Sequence, residues 1–245
     1  MPVSLESPRM PERAPVHLRP TAGLAERVLL PGDPGRALAL AQALLERPPQ
    51  MFNHHRGLWG YTGTAADGQP LTIQSTGMGG PSAAIVLTEL IDLGARRAIR
   101  VGTCGALDPS LGLGDIVVAR EAVSADGTSR ALGAGERVEA DPALSDALAQ
   151  SAPGARTGAV VSVDLFYEDG AAEGGARRAA QDAIAVEMEA ATLFALGRAA
   201  GIPVACALAV SDTFGPDGSR ARIDDDALLA TAERIGAAAV RALSA

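Results

Sequence analysis

The stretch Ala185-Val186-Glu187-Met188-Glu189-Ala190-Ala191 sets two carboxylates into a run otherwise suited to a protein interior, with no Lys or Arg within several residues. Acids placed there need donors from elsewhere, either protein groups or a ligand's hydroxyls. On a strand Glu187 and Glu189 project to the same side, whereas on a helix they stand about 200° apart. The strand reading puts both at a strand end beside a pocket, with a helix starting near Ala190.

Arginines sit in three glycine-bearing segments. Leu30-Pro31-Gly32-Asp33-Pro34-Gly35-Arg36 follows an apolar strand and precedes a helix, so peptide N–H groups and Arg36 suit a phosphate there; a plain tight turn is the simpler alternative. Ile99–Ala106 is an apolar strand running into a glycine-rich turn. It would carry Thr103, with charge from Arg100, to the carboxyl end of a strand, where open α/β sheets bind ligands; a core strand ending in a turn is the alternative. Asn53–Gly63 reads as a tight hairpin carrying Arg56. Its neighbours His54 and His55 point opposite ways on an extended chain, which disfavours a metal chelate.

Two further segments lie at strand ends. Thr76–Ser82 lacks the P-loop lysine and the dinucleotide spacing, which speaks against ATP or NAD. In Ala209–Phe214, Ser211 and Asp212 arrive as an apolar strand finishes. A carboxyl in that place is a general acid tuned by burial, or a cap on the next segment.

Strand-like and helix-like runs alternate from Arg27 onward: RVLL, LALAQALL, LTIQST, PSAAIVLTELIDLG, AIRVGT, DIVVA, GAVVSV, AIAVEM, AATLFALGRAAG, PVACALAVS and a last helix. That order predicts an α/β protein. In the last helix Leu228, Ala232, Ile235, Ala239 and Leu243 form one apolar stripe. Residues 124–153 read as an excursion with weak helical content, and residues 1–20, rich in Pro and charge, as an irregular arm in which His17 is the candidate exception.

With 245 residues, one sizeable domain over residues 21–245 is expected behind that arm. A net charge of −8 opposes binding to nucleic acid or an anionic membrane, although a small anion can still bind locally. No apolar run approaches the roughly 20 residues of a membrane span. Cys104 and Cys206 match no zinc spacing, so the reading is a reduced, cytoplasmic protein without a structural metal.

Taken together, PGDPGR, RGLWGYTG, STGMGGPS, IRVGTCGAL, SVDLFY, VEMEAA and SDT resemble, in order over residues 17–213, the nucleoside phosphorylase family of hexameric bacterial purine nucleoside phosphorylases and uridine phosphorylases. The resemblance implies a central mixed, partly barrel-like β-sheet flanked by helices. It implies phosphorolysis of a nucleoside to free base and ribose 1-phosphate, with phosphate as co-substrate and no cofactor. Gly32, Arg36, Arg100 and Thr103 match its phosphate ligands, and Arg56 reaches the phosphate from a neighbouring subunit. His17 matches the arm histidine that crosses to the partner's ribose site. Glu189 and Met188, with Glu187 nearby, match the ribose edge, and Phe166, Val186, Ser211 and Asp212 the base site, Asp212 being the acid for purine N7. A homo-oligomer is implied, with a dimer as the active unit and a hexamer of three dimers.

Within that family the uridine branch places a Gln and an Arg soon after the FY pair; Phe166–Glu173 has neither, and Asp212 favours purines. Ser124–Ser129 looks closer to uridine-type members, and Arg220 or Arg222 is the candidate assistant to Asp212. A nucleosidase would not need Arg36, Arg56 and Arg100, and a non-catalytic nucleoside binder would be expected to lack a phosphate ligand.

Overall fold

One ten-residue strand, β5 (Arg97–Ala106), organises the sheet of the computed structural model, which describes residues 14–167, 182–215 and 219–244. Its first half pairs in parallel with β1 (Arg27–Leu30), ending at Leu30 opposite Arg100. Its last residues pair antiparallel with β9 (Ala183–Glu187), beginning at Gly105 opposite Val186. Along its length it also pairs in parallel with β10 (Val204–Phe214). Between Arg100 and Gly105 one side of β5 thus changes neighbours, and a parting of strands of this kind leaves room for a ligand at their ends.

The remaining pairings close the sheet. β10 pairs with β6 (Ile116–Ser124), β6 with β8 (Arg156–Ser162), and β8 with β9, so β5, β10, β6, β8 and β9 form a closed ring. From β1 the sheet continues outward through β4 (Pro70–Gln74), β3 (Gly60–Thr64) and β2 (Gln50–Asn53), and β7 (Arg137–Glu139) and β11 (Arg220–Arg222) border β6 and β10. The result is one α/β domain with a mixed, barrel-like sheet.

Both faces of the sheet are covered, and the period-two alternation shows it. Along β10, Val204, Cys206, Leu208 and Val210 join one apolar cluster, while Ala205, Ala207 and Ala209 join the other. Helices α2 (Gly80–Leu93) and α5 (Ala190–Ala200) seal the first cluster through Val86, Leu90, Leu193 and Phe194. Helices α1 (Pro34–Leu44), α4 (Pro142–Ser151) and α6 (Asp225–Ser244) seal the second, where Ala232, Ile235, Ala239 and Leu243 of the expected stripe are all buried.

Residues 124–153 are more ordered than their composition predicts. They contain a short helix α3 (Gly127–Ala131), β7 and the ten-residue α4. Asp141 caps α4 by accepting the Leu144 N–H at 2.8 Å, and Pro142 starts it with a preset φ, so local capping compensates for the small side chains. No helix among the described residues is long and apolar enough to cross a membrane.

Candidate functional site

Both acids of the Ala185–Ala191 stretch converge on Arg100. Glu187 ends β9 and Glu189 takes the N-cap position of α5. Arg100 Nη2 forms an ion pair with Glu189 Oε2, and Arg100 Nε lies 3.3 Å from Glu187 Oε2. Glu189 also accepts the Gly79 N–H at 2.5 Å, tying the ribose-edge candidate to the loop before α2.

Glu187 is engaged differently. Its Oε1 accepts from Ser162 Oγ at 2.5 Å, and its two oxygens accept the N–H groups of Glu189 and Ala190 at 2.9–3.0 Å. Placed beside the ribose from sequence, it here faces protein donors, because it closes the start of α5 and braces Arg100. Burial raises its carboxyl above the usual range, with Arg100 pulling down and Glu189 adding to the rise. For Arg100, burial alone would lower the pKa, but Glu189 and Glu187 outweigh it and keep the guanidinium charged.

Arg100 fits because residue 102 is glycine. The two share a strand face, and a Cβ at Gly102 would stand 2.7 Å from Arg100 Cζ and Nη2. Gly102→Ala is therefore expected to displace the guanidinium while leaving the fold intact, since the clash is with the far end of a flexible side chain. A shift of about 1 Å at such a group costs on the order of 10²-fold in rate. Phosphate-dependent turnover together with the phosphate-induced rise in Tm checks this.

Arg36 comes to the same place from α1. Asp33 caps that helix through the Arg36 N–H at 2.7 Å, and Gly32 is stitched to the neighbouring loop by the Gly77 N–H at 3.0 Å. Burial lowers the Arg36 pKa, the charge of Arg100 lowers it further, and Asp33 and Glu189 oppose both. Nη1 of Arg36 and Nη1 of Arg100 are each buried without a hydrogen-bond partner among the described residues. Two cations in one another's field, each with an unmet donor, are chemically suited to an oxyanion. Thr103 alternates with Arg100 on β5, and its hydroxyl has no partner among the described residues.

A second cluster lies at the finish of β10. Asp212 Oδ1 accepts from Arg220 Nε at 2.8 Å and Arg222 Nη1 at 3.2 Å, and Oδ2 accepts from Ser211 Oγ at 2.7 Å. Both arginines come from β11, whose antiparallel register sets Arg222 opposite Asp212. Burial raises the Asp212 carboxyl, but the hydrogen bonds from Arg220 and Ser211 and the charge of both arginines outweigh it, so it is held low. Phe166 is half exposed, with the Arg220 guanidinium 4.5 Å from its ring centroid. Val186 and Met188 pack with Val123, Val161 and Val163 on the side opposite the acids. Sequence reasoning missed Phe214, which lies near Val186 across Gly105; its signal was an aromatic two residues beyond the acid.

His17 and Arg56 lie elsewhere. Glu89 of α2 holds the arm, accepting N–H groups from Val16, His17 and Leu18 and contacting His17 Nδ1 at 2.7 Å. His55 Nδ1 donates to the His17 carbonyl at 3.0 Å, so the arm is joined to the 3₁₀ turn His55–Gly57. Arg56 stands exposed on that turn at φ 59°, with no ion pair among the described residues. Sequence reasoning also missed Glu89, whose signal was an acid within an apolar helical run.

Burial pushes the Cys104 thiol up, so it supplies no ready thiolate, and no metal-binding group of His, Cys, Asp and Glu occurs among the described residues. The sequence expectation about base choice at Glu168–Glu173 falls outside the described residues.

The described residues thus bring two buried guanidinium groups with unmet donors, two buried carboxylates and, at the end of β10, an arginine-paired aspartate together in one α/β domain. A family model described as "Phosphorylase superfamily" matches residues 26–245, and the chain belongs to that family. It is 35% identical to the purine nucleoside phosphorylase DeoD-type of Oceanobacillus iheyensis, over 80% of this chain and 86% of the relative. The corresponding figures are 37%, 81% and 88% for the protein of that name from Alkaliphilus metalliredigens, and 36%, 80% and 85% for that from Geobacillus kaustophilus.

Proposed function

We propose that this protein catalyses phosphorolysis of purine nucleosides. Phosphate forms a bond to C1′ as the C1′–N bond breaks, and the base leaves with a proton, giving free base and ribose 1-phosphate. The observation that carries this reading is the pair of buried guanidiniums, Arg36 and Arg100, with unmet Nη1 donors. Such donors orient a phosphate dianion against the sugar and convert a bimolecular encounter into a positioned one. The names of the relatives point to purines, and Asp212 at the base end supplies the acid. Glu189 turns from Arg100 toward the ribose hydroxyls as phosphate takes over the guanidinium. Phosphate is the co-substrate, and no cofactor enters.

The site is shared between two copies. α2 starts beside Glu189 and carries Glu89, the anchor of His17, nine residues later, about 13 Å along the helix. His17 and the turn that carries Arg56 are joined through His55, and the exposed Val16, Met51 and Trp59 lie close to them in sequence. A dimer that exchanges these residues is the active unit, three dimers form the hexamer, and the enzyme acts in the cytoplasm.

The test is base release from inosine, guanosine, adenosine, uridine and methylthioadenosine, each with and without phosphate. Phosphate-dependent release from purine ribonucleosides is expected. Release without phosphate, or from uridine alone, overturns the reading.

A further inference from the structure

We propose that Glu89 is a positioning residue that fixes the tautomer of His17 and makes its Nε2 an acceptor for one sugar hydroxyl of the nucleoside. This rests on the phosphorylase reading and adds a residue and a selection rule to it.

Glu89 lies in the middle of α2 and is 9% exposed, where an apolar side chain would serve packing equally well. Among the described residues it has no Lys or Arg partner. Its donors are three consecutive backbone N–H groups, Val16 at 3.1 Å, His17 at 3.0 Å to each oxygen and Leu18 at 2.7 Å, together with the His17 ring. Burial raises its carboxyl, but these bonds outweigh burial and hold it low, so it is a carboxylate. A carboxylate only accepts, so Nδ1 of His17 bears the proton, and in the neutral ring Nε2 is left with a lone pair. Nε2 has no partner among the described residues, and the His17 side chain is 31% exposed.

An acceptor there requires a donor on the ligand. A hydroxyl supplies one; an ether, thioether or phosphate at the same sugar carbon does not. Backbone and ring are clamped by one carboxylate, so His17 enters the shared site already oriented. The clamp extends to the adjoining turn, because Arg19 N–H donates to Asn53 Oδ1 at 2.8 Å and His55 to the His17 carbonyl.

Glu89→Gln tests the tautomer. The carboxylate accepts from three backbone N–H groups and the ring with two oxygens, whereas Gln offers one carbonyl oxygen and an NH2 that must face an N–H, so the clamp loosens and the ring is no longer held with its proton on Nδ1 and Nε2 as acceptor. With the full-length enzyme and saturating phosphate, Glu89→Gln should lower kcat/KM for the preferred ribonucleoside about tenfold, or about 1.4 kcal/mol. The KM for phosphate should be unchanged. In a His17→Ala background Glu89→Gln should have no further effect. Among 2′-, 3′- and 5′-deoxy analogues, one should lose its sensitivity to Glu89→Gln. Equal loss on all analogues, or additive loss in the His17→Ala background, overturns the proposal. ¹⁵N NMR of the imidazoles in wild-type protein reads the tautomer without turnover, and an Nε2–H ring at neutral pH also overturns it. If the wild type cleaves no nucleoside with phosphate, the functional reading fails, and the NMR measurement still decides the tautomer.

Discussion

Arg36→Met should lower phosphate-dependent turnover by about 10²–10³-fold while leaving the empty protein as stable as wild type, or more so. A charged group buried beside a like charge is disfavoured in the fold, and Arg36 carries both burdens: burial and the field of Arg100 depress its pKa. The Asp33 cap of α1 uses the backbone N–H of Arg36 and so survives the substitution. Met also preserves much of the aliphatic stem's packing. With one guanidinium gone, the remaining Arg100 is already neutralised by Glu189 and Glu187 and has little attraction left for an anion. Loss of a preorganised charge of this type costs on the order of 10²–10³-fold in rate. Two measurements check it: kcat/KM for phosphate, and Tm with and without phosphate. The opposite pattern, a large fall in Tm with phosphate binding retained, would mark Arg36 as structural and sink the anion-site assignment.

The same residues show what the sequence disclosed and what it concealed. Strand and helix order was legible because the core is covered on both faces, so apolar runs such as RVLL and PVACALAVS stand out. The start of α5 at Ala190 was legible, but the strand stops at Glu187 and Glu189 is the N-cap, so strand parity does not account for the two acids meeting at Arg100. The division of labour between these acids was not legible. Ser162, which occupies Glu187, lies 25 residues away on β8 and meets it only because β8 and β9 pair in register. Arg100's dependence on Gly102 is equally hidden, since a glycine in a strand reads as a turn signal until a side chain is seen lying along it. The sequence offers Arg220 or Arg222 as assistant to Asp212 without choosing between them, and the antiparallel β11 turns both onto Asp212. The clamp of Glu89 on residues 16–18 spans more than 70 positions, beyond any local pattern.

Asp212→Asn should lower kcat for inosine by about 10²–10⁴-fold, the range of a general acid, with a much smaller change in KM. The pocket should persist, because the Asn carbonyl can still accept from Arg220 and Arg222 and its amide can donate to Ser211 Oγ. A nucleoside whose base is already cationic, 7-methylguanosine, needs no proton to leave, so it should be cleaved by Asp212→Asn at close to the wild-type rate. Equal losses on both substrates would reassign Asp212 to binding, and near-normal turnover of inosine would remove it from the reaction. The arginines set the pH at which this acid works. As a proton donor Asp212 must carry its proton, so activity falls as pH rises through its pKa in the complex. Arg222 holds that pKa down by its charge. Arg222→Ala should therefore raise it and move the alkaline limb of the inosine profile to higher pH, leaving the 7-methylguanosine profile where it was. A limb unmoved for both substrates would place the ionisation elsewhere, whereas a limb moved equally for both would show that Arg222 acts on phosphate and not on the departing base.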